Sequence, residues 1–175
     1  MKLDYDLYAK ACEFAGNAHK GQKIIDTSAS YLVHCSAVAQ IAICIAQEEN
    51  LDINLVSVVA LLHDTIEDTE IDYDQIQSVF GTQVADGVRA LTKNKMLPKQ
   101  EQMIDSLKRI KKQPKEIWVI KLADRYFNLR NVPESWTKEK IEFYKKEAIL
   151  IFNELKDASK ELSVKLLRKI QHYGK

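Results

Sequence analysis

Residues 61–70 read LLHDTIEDTE, so one histidine and four carboxylates follow directly on an apolar run. If the stretch is helical, His63 and Glu67 are four residues apart, as are Asp64 and Asp68, and each pair shares a face. A neutral imidazole beside a carboxylate suits a divalent cation. Two acids one turn further on can position and deprotonate a water held there. A solvated acidic helix end fits the stretch alone equally well. Two distant sites bear on the choice. His34, in YLVHCSAV, falls at the start of a helix, about one helix before His63. Asp124, in IKLADRYFNLR, falls in an apolar helical segment with Asn128 four residues on. A buried aspartate is uncommon unless paired or metal-bound. A histidine, then His-Asp, then a distant Asp, all on helices, is the spacing of a helical metal site.

The elements that must hold these residues are all helical, since apolar residues recur at helical spacing and no segment sustains a period of two. Asp4 caps a first helix carrying Leu7, Ala11, Phe14 and Ala18, with Gly21 beyond its end. QKIIDTSAS is a polar loop. A second helix is expected over about 35–49. A third, capped by Asp52 or Asn54, runs through LVSVVALLHDTIED, and its first half is apolar on nearly every side, as a central helix is. Asp72 and Gln75 have capping-box spacing for a short helix ending at Gly81, followed by another over 82–91. Pro98 opens a helix to about 112, Pro114 precedes KEIWVIKLADRYFNLRNV, and Pro133 ends that segment. The tail repeats apolar residues from Tyr144 to Tyr173, predicting one amphipathic helix over 140–173. The expected fold is all-α, one domain over residues 1–175.

Composition sets the surroundings. The chain has 175 residues, 46% hydrophobic and 29% charged, enough for one sizeable core. A formal net charge of +1 gives no global attraction to nucleic acid or membrane. Locally, residues 64–74 carry acids and no base, while 93–115 carry eight lysines and arginines against Glu101 and Asp105. Brought together, they would set a cation site beside an anion site; two solvated faces would have the same composition. Cys12, Cys35 and Cys44 have no metal or disulfide spacing and read as small buried apolar residues. The N-terminus is not a signal peptide, and no apolar run approaches the ~20 residues of a membrane span. A soluble, cytoplasmic protein is expected.

AHKGQK, YLVH, ALLHDTIEDT, FGTQVADGVRALTK, LPKQE and KLADRYFNLRNV occur in that order, spanning most of residues 9–150. With these motifs the chain resembles the HD-domain metal-dependent phosphohydrolases, in particular the RelA/SpoT-type (p)ppGpp hydrolases and their stand-alone small forms. The resemblance implies a helical domain holding one Mn²⁺ through His34, His63, Asp64 and Asp124, with Glu67 and Asp68 acting on the water. It implies removal of the 3′-pyrophosphate of ppGpp or pppGpp to give GDP or GTP. By position, Asn128 would contact the nucleotide sugar or its 3′ linkage and Tyr31 would line the pocket. Lys99 and Lys140 would meet phosphate, Lys140 standing where the family has arginine. His19 is expected to support the site and His172 to be exposed.

The chain departs from the family in one place. A basic stretch against the guanine, then Gly-x-Pro-Tyr, is usual there. Here Lys23 remains, Ile24 and Ile25 replace the next basic residues, and Ser28-Ala29-Ser30 replaces the turn. Isoleucine cannot stack as arginine does, though it can pack on a base face. Two other readings therefore stand beside (p)ppGpp hydrolysis. One is an HD phosphohydrolase acting on another phosphorylated nucleotide, such as NADPH losing its 2′-phosphate. The other is a non-catalytic nucleotide or metal sensor, against which the full set of acids speaks.

Overall fold

The computed structural model describes residues 2–175 and contains, among them, ten α-helices and no strand. The helices are α1 (Tyr5–Ala18), α2 (Tyr31–Glu48), α3 (Ile53–Leu62), α4 (Thr65–Asp68) and α5 (Tyr73–Phe80). They continue with α6 (Thr82–Leu91), α7 (Lys99–Ile110), α8 (Lys115–Asn128), α9 (Lys138–Leu155) and α10 (Lys160–His172). Starts follow the side chains that can satisfy free backbone N–H groups. Asp4 accepts from Asp6 N at 3.1 Å and Leu7 N at 3.0 Å. Asp52, rather than Asn54, caps α3, accepting from Asn54 N and Leu55 N. Asp72 and Gln75 form the reciprocal capping box of α5. Gly81, at φ 88°, separates α5 from α6 in a backbone conformation that glycine adopts without strain.

Three expectations change. The second helix begins at Tyr31, capped by Ser30, so it starts four residues earlier and carries His34 in its first turn. The third helix is not continuous through His63-Asp64: α3 stops at Leu62, and α4 is a separate single turn. The tail is not one helix over 140–173. A 3-10 turn at Lys156–Ala158 and the Ser159 cap split it into α9 and α10. In addition, α8 stops at Asn128, five residues before Pro133.

α3 is the central element. Nine of its ten residues, all but Asn54, are buried, and it packs against α1, α2, α6 and α8. Leu61, Leu62, Ile117, Ile120 and Leu122 are fully enclosed at this junction, each contributing roughly 1.5–3 kcal/mol by leaving water. Gly87 lets α6 approach closely, since a Cβ there would stand 2.7 Å from Ile117 Cδ1. Among the described residues α2 alone is long and apolar enough to cross a membrane, but it is a core helix, burying Cys35, Val38, Ala39 and Ala42. Cys35 is buried and Cys12 half-buried, whereas Cys44 is exposed, so the reading of three buried cysteines is corrected at Cys44.

Candidate metal and catalytic site

The packing of α2, α3 and α8 brings four separated side chains to one point. His34 Nε2 lies 3.2 Å from His63 Nε2, 3.4 Å from Asp64 Oδ2 and 3.5 Å from Asp124 Oδ1. His63 Nε2 lies 3.0 Å from Asp64 Oδ2 and 3.7 Å from Asp124 Oδ1. The helix break makes this possible, because adjacent residues on one helix point in different directions. Asp64 sits at φ −102°, ψ −1°, in the sparsely populated bridge region, and its side chain does not cap α4. It is thereby free to turn towards His63.

Hydrogen bonds hold His63, Asp64 and Asp124 in place, and ring neighbours hold His34. His63 Nδ1–H donates to Ala60 O at 2.7 Å, which leaves the Nε2 lone pair for a cation. Tyr31 O–H donates to Asp64 Oδ2 at 2.6 Å, and Asn128 Nδ2 donates to Asp124 Oδ1 at 2.6 Å. Lys121 Nζ holds the other oxygen, Asp124 Oδ2, at 3.3 Å. The His34 ring is set among those of Tyr31, His63 and Phe127, at centroid distances of 5.0, 5.1 and 5.3 Å.

The electrostatics favour positive charge at this point. Burial works against ionisation of both aspartates, but it is outweighed. Lys121 and His63 hold Asp124 well below the usual carboxylate range, and His63 and His34 do the same for Asp64. Burial also opposes a charge on His63, yet Asp64 and Asp124 raise its pKa well above the ordinary value. Nitrogen atoms of His34 and His63 and an oxygen of Asp124 lie within 4.8 Å of one another, close enough to share one ion. Two imidazoles and anionic carboxylates in a buried pocket fit a divalent metal.

Glu67 and Asp68 lie on α4, one turn from this cluster. Glu67 Oε2 accepts from the backbone N–H of Lys93 at 2.8 Å, and its carbonyl accepts from Lys95 Nζ. Asp68 lies at the surface with its carboxyl pushed up to about 6, by desolvation first and then by Asp64 and Glu67. The acidic and basic stretches thus meet only at Lys93 and Lys95. Arg109 instead binds the carbonyls of Arg89, Ala90 and Thr92 at the end of α6, and Lys111 pairs with Glu154. Lys23, Lys99 and Lys140 are exposed. Lys99 Nζ stands 5.1 Å from the Phe143 ring centroid and Lys140 Nζ 4.4 Å from that of Trp136. His19 is buried, donates from Nδ1–H to Gln22 Oε1 at 2.7 Å, and lies 4.9 Å from the Tyr31 ring; His172 is exposed.

A cleft of about 390 Å³ lies between the loop carrying Ile24, Ile25 and Asp26 and the segment Asn128 to Trp136. Asn128 belongs both to this cleft and to the Asp124 cluster, so it joins the two. Sequence reasoning missed several participants. Lys121 was discoverable as a base three residues from Asp124 on a helix. The Lys93 N–H was not, because every residue but proline offers one. Also missed were Arg125 and Glu147, a buried pair with Nη2 3.3 Å from Oε2, where Glu147 additionally takes Lys93 Nζ at 3.3 Å.

The HD domain matches over residues 11–161. Guanosine-3′,5′-bis(diphosphate) 3′-pyrophosphohydrolase MESH1 of Xenopus tropicalis is 31% identical over 171 residues, 95% of this chain and 94% of its own. Human MESH1 is 29% identical over 170 residues, covering 94% and 93%. The bifunctional (p)ppGpp synthase/hydrolase SpoT of Escherichia coli is 36% identical over 124 residues, 67% of this chain but 17% of that much longer one. A solved structure described as a metazoan ortholog of SpoT that hydrolyses ppGpp superposes with a TM-score of 0.85. It is 27% identical and covers 99% of both chains. The chain belongs to the HD-domain family of metal-dependent phosphohydrolases, as a homologue of the MESH1 and SpoT hydrolases.

Proposed function

We propose that the protein hydrolyses the 3′-pyrophosphate of (p)ppGpp to GDP or GTP and pyrophosphate, with one Mn²⁺ held by His34, His63, Asp64 and Asp124, and that it works in the cytoplasm. The observation that carries this reading is the convergence of those four side chains beside a cleft that Asn128 joins to them. The homology to the MESH1 and SpoT hydrolases supports the substrate. Mixed imidazole and carboxylate donors suit a first-row ion such as Mn²⁺ better than the all-oxygen shell usual for Mg²⁺ or Ca²⁺.

When bound, the cation lowers the pKa of a coordinated water and offsets charge on the phosphoryl oxygens. The protein supplies the rest. Glu67, fixed by the Lys93 N–H, and Asp68 orient the water and take its proton. The water oxygen bonds to the phosphorus next to the ribose, the P–O3′ bond breaks, and the 3′ oxygen leaves as the hydroxyl of GDP or GTP, taking up the proton that the water gave up. Asn128 steadies the 3′ linkage, Tyr31 fixes Asp64, and Lys99, Lys140 and Lys23 offset phosphate charge. A panel of ppGpp, pppGpp, GTP and NADPH with Mn²⁺ tests the substrate. Turnover of the two alarmones alone is expected; loss of the NADPH 2′-phosphate with ppGpp left intact contradicts it.

A further inference from the structure

We propose that Asp26 selects the base in the cleft, its carboxylate accepting hydrogen bonds from N1–H and the 2-amino group of guanine. The inference rests on the reading of the substrate as a guanosine nucleotide.

The loop positions lining the cleft are Ile24, Ile25, Asp26 and Thr27. Ile24 and Ile25 offer aliphatic surface against which a base can lie but no group that reads its edge. Ile25 is 50% exposed and so presents its side chain to whatever enters the cleft. Asp26 is the loop's charged acceptor, and it is held in a special conformation. Its φ of 57° is one of two positive values at non-glycine residues among those described. Such strain gathers at ligand clamps, and Asp and Asn tolerate it better than most residues. Asp26 Oδ2 makes long contacts to Ser135 N at 3.4 Å and Ser135 Oγ at 3.5 Å, tethering the loop to the opposite wall. Oδ1 has no hydrogen-bond partner among the described residues.

Guanine presents two adjacent donors, N1–H and the 2-amino group, which match the two oxygens of a carboxylate. Hypoxanthine lacks the amino group and keeps one donor. Adenine turns a bare N1 acceptor towards the carboxylate. The other ionic groups on the cleft fit the task less well. Arg130 is engaged with Phe127, donating to its carbonyl and lying 3.8 Å from its ring centroid. Glu134 has no tether to the loop.

Calorimetric titration of GDP, IDP and ADP into the Mn²⁺-loaded protein tests the assignment. A hydrogen bond to a charged group predicts GDP binding roughly tenfold to a hundredfold tighter than IDP. Asp26→Asn, which keeps the backbone conformation accessible, should bring the GDP-to-IDP ratio to within about threefold. Glu134→Gln should leave the wild-type ratio. The proposal is overturned if the wild type does not distinguish GDP from IDP, if Asp26→Asn keeps the ratio, or if Glu134→Gln abolishes it. Hydrolysis is scored separately on the wild type. A GDP preference lost in Asp26→Asn, together with intact ppGpp, leaves Asp26 as the base reader and removes the substrate reading alone.

Discussion

Asp64 shows how much a single residue's backbone decides. Its side chain would cap α4 in an ordinary helix start; instead it lies 3.0 Å from His63 Nε2, held by Tyr31. Asp64→Ala should remove bound Mn²⁺ and turnover together, whereas Glu67→Ala should keep the metal and lose at least about a hundredfold in kcat. Metal content by atomic absorption alongside kcat separates them, and full turnover in either variant rejects its assigned role. Asp68 gives a prediction in pH. Its folded pKa is raised to about 6, so the folded protein pays nothing for it at low pH and is destabilised as pH rises through 6. Asp68→Asn removes that penalty. Metal-free Asp68→Asn should therefore melt above the wild type at pH 8 and level with it near pH 4; an equal or lower melting temperature at pH 8 contradicts the assignment. The four side chains that converge were legible because imidazole and carboxylate types are rare on apolar helices. The bridge conformation of Asp64 was not, since LLHDTIED has helical spacing throughout.

Among the elements, the single-turn α4 depends on what docks against it. The loop after α6 supplies the Lys93 N–H to Glu67, and Lys93 is tied through Nζ to Glu147 on α9, which also holds Arg125 of α8. Glu147 thus connects α8 and α9 to the element bearing Glu67 and Asp68. Removing one member of a buried ionic group strands the others, so Glu147→Ala should cost about 3–5 kcal/mol in urea unfolding. It should also lower kcat more than it raises KM, since Glu67 loses its fixed partner; an unchanged unfolding midpoint would reject the network. Helix starts at Asp4 and Asp72 were legible because a capping side chain names its own position, whereas Asp52 was one of two candidates beside Asn54. The division of the tail was not. Its apolar stripe continues through Leu155 and Leu162 on either side of the break, and only the Ser159 cap marks it. The network through Glu147 was equally hidden, because pairing of α8 and α9 with the loop after α6 is set by packing rather than by spacing.

At the scale of the molecule, the all-α class and the centrality of α3 were legible from periodicity and from an apolar run too continuous for a surface helix. What sequence could not supply was how the walls of the cleft meet, since Asp26 and Ser135 are 109 residues apart. Core and site share α3, so loss of packing beneath the site should be felt as stability first. Leu62→Ala, at a fully enclosed position next to His63, should cost about 2–5 kcal/mol, read from the shift in urea midpoint. A change within about 0.5 kcal/mol would contradict the placement of that side chain in the core. The central claim, metal-dependent removal of an intact pyrophosphate at the His-Asp cluster, is tested most directly by resolving the products of ppGpp by anion-exchange chromatography with and without Mn²⁺. The account predicts GDP and pyrophosphate in equal amounts, formed only with the metal. Orthophosphate as the first product, or equal turnover after complete chelation, would contradict it.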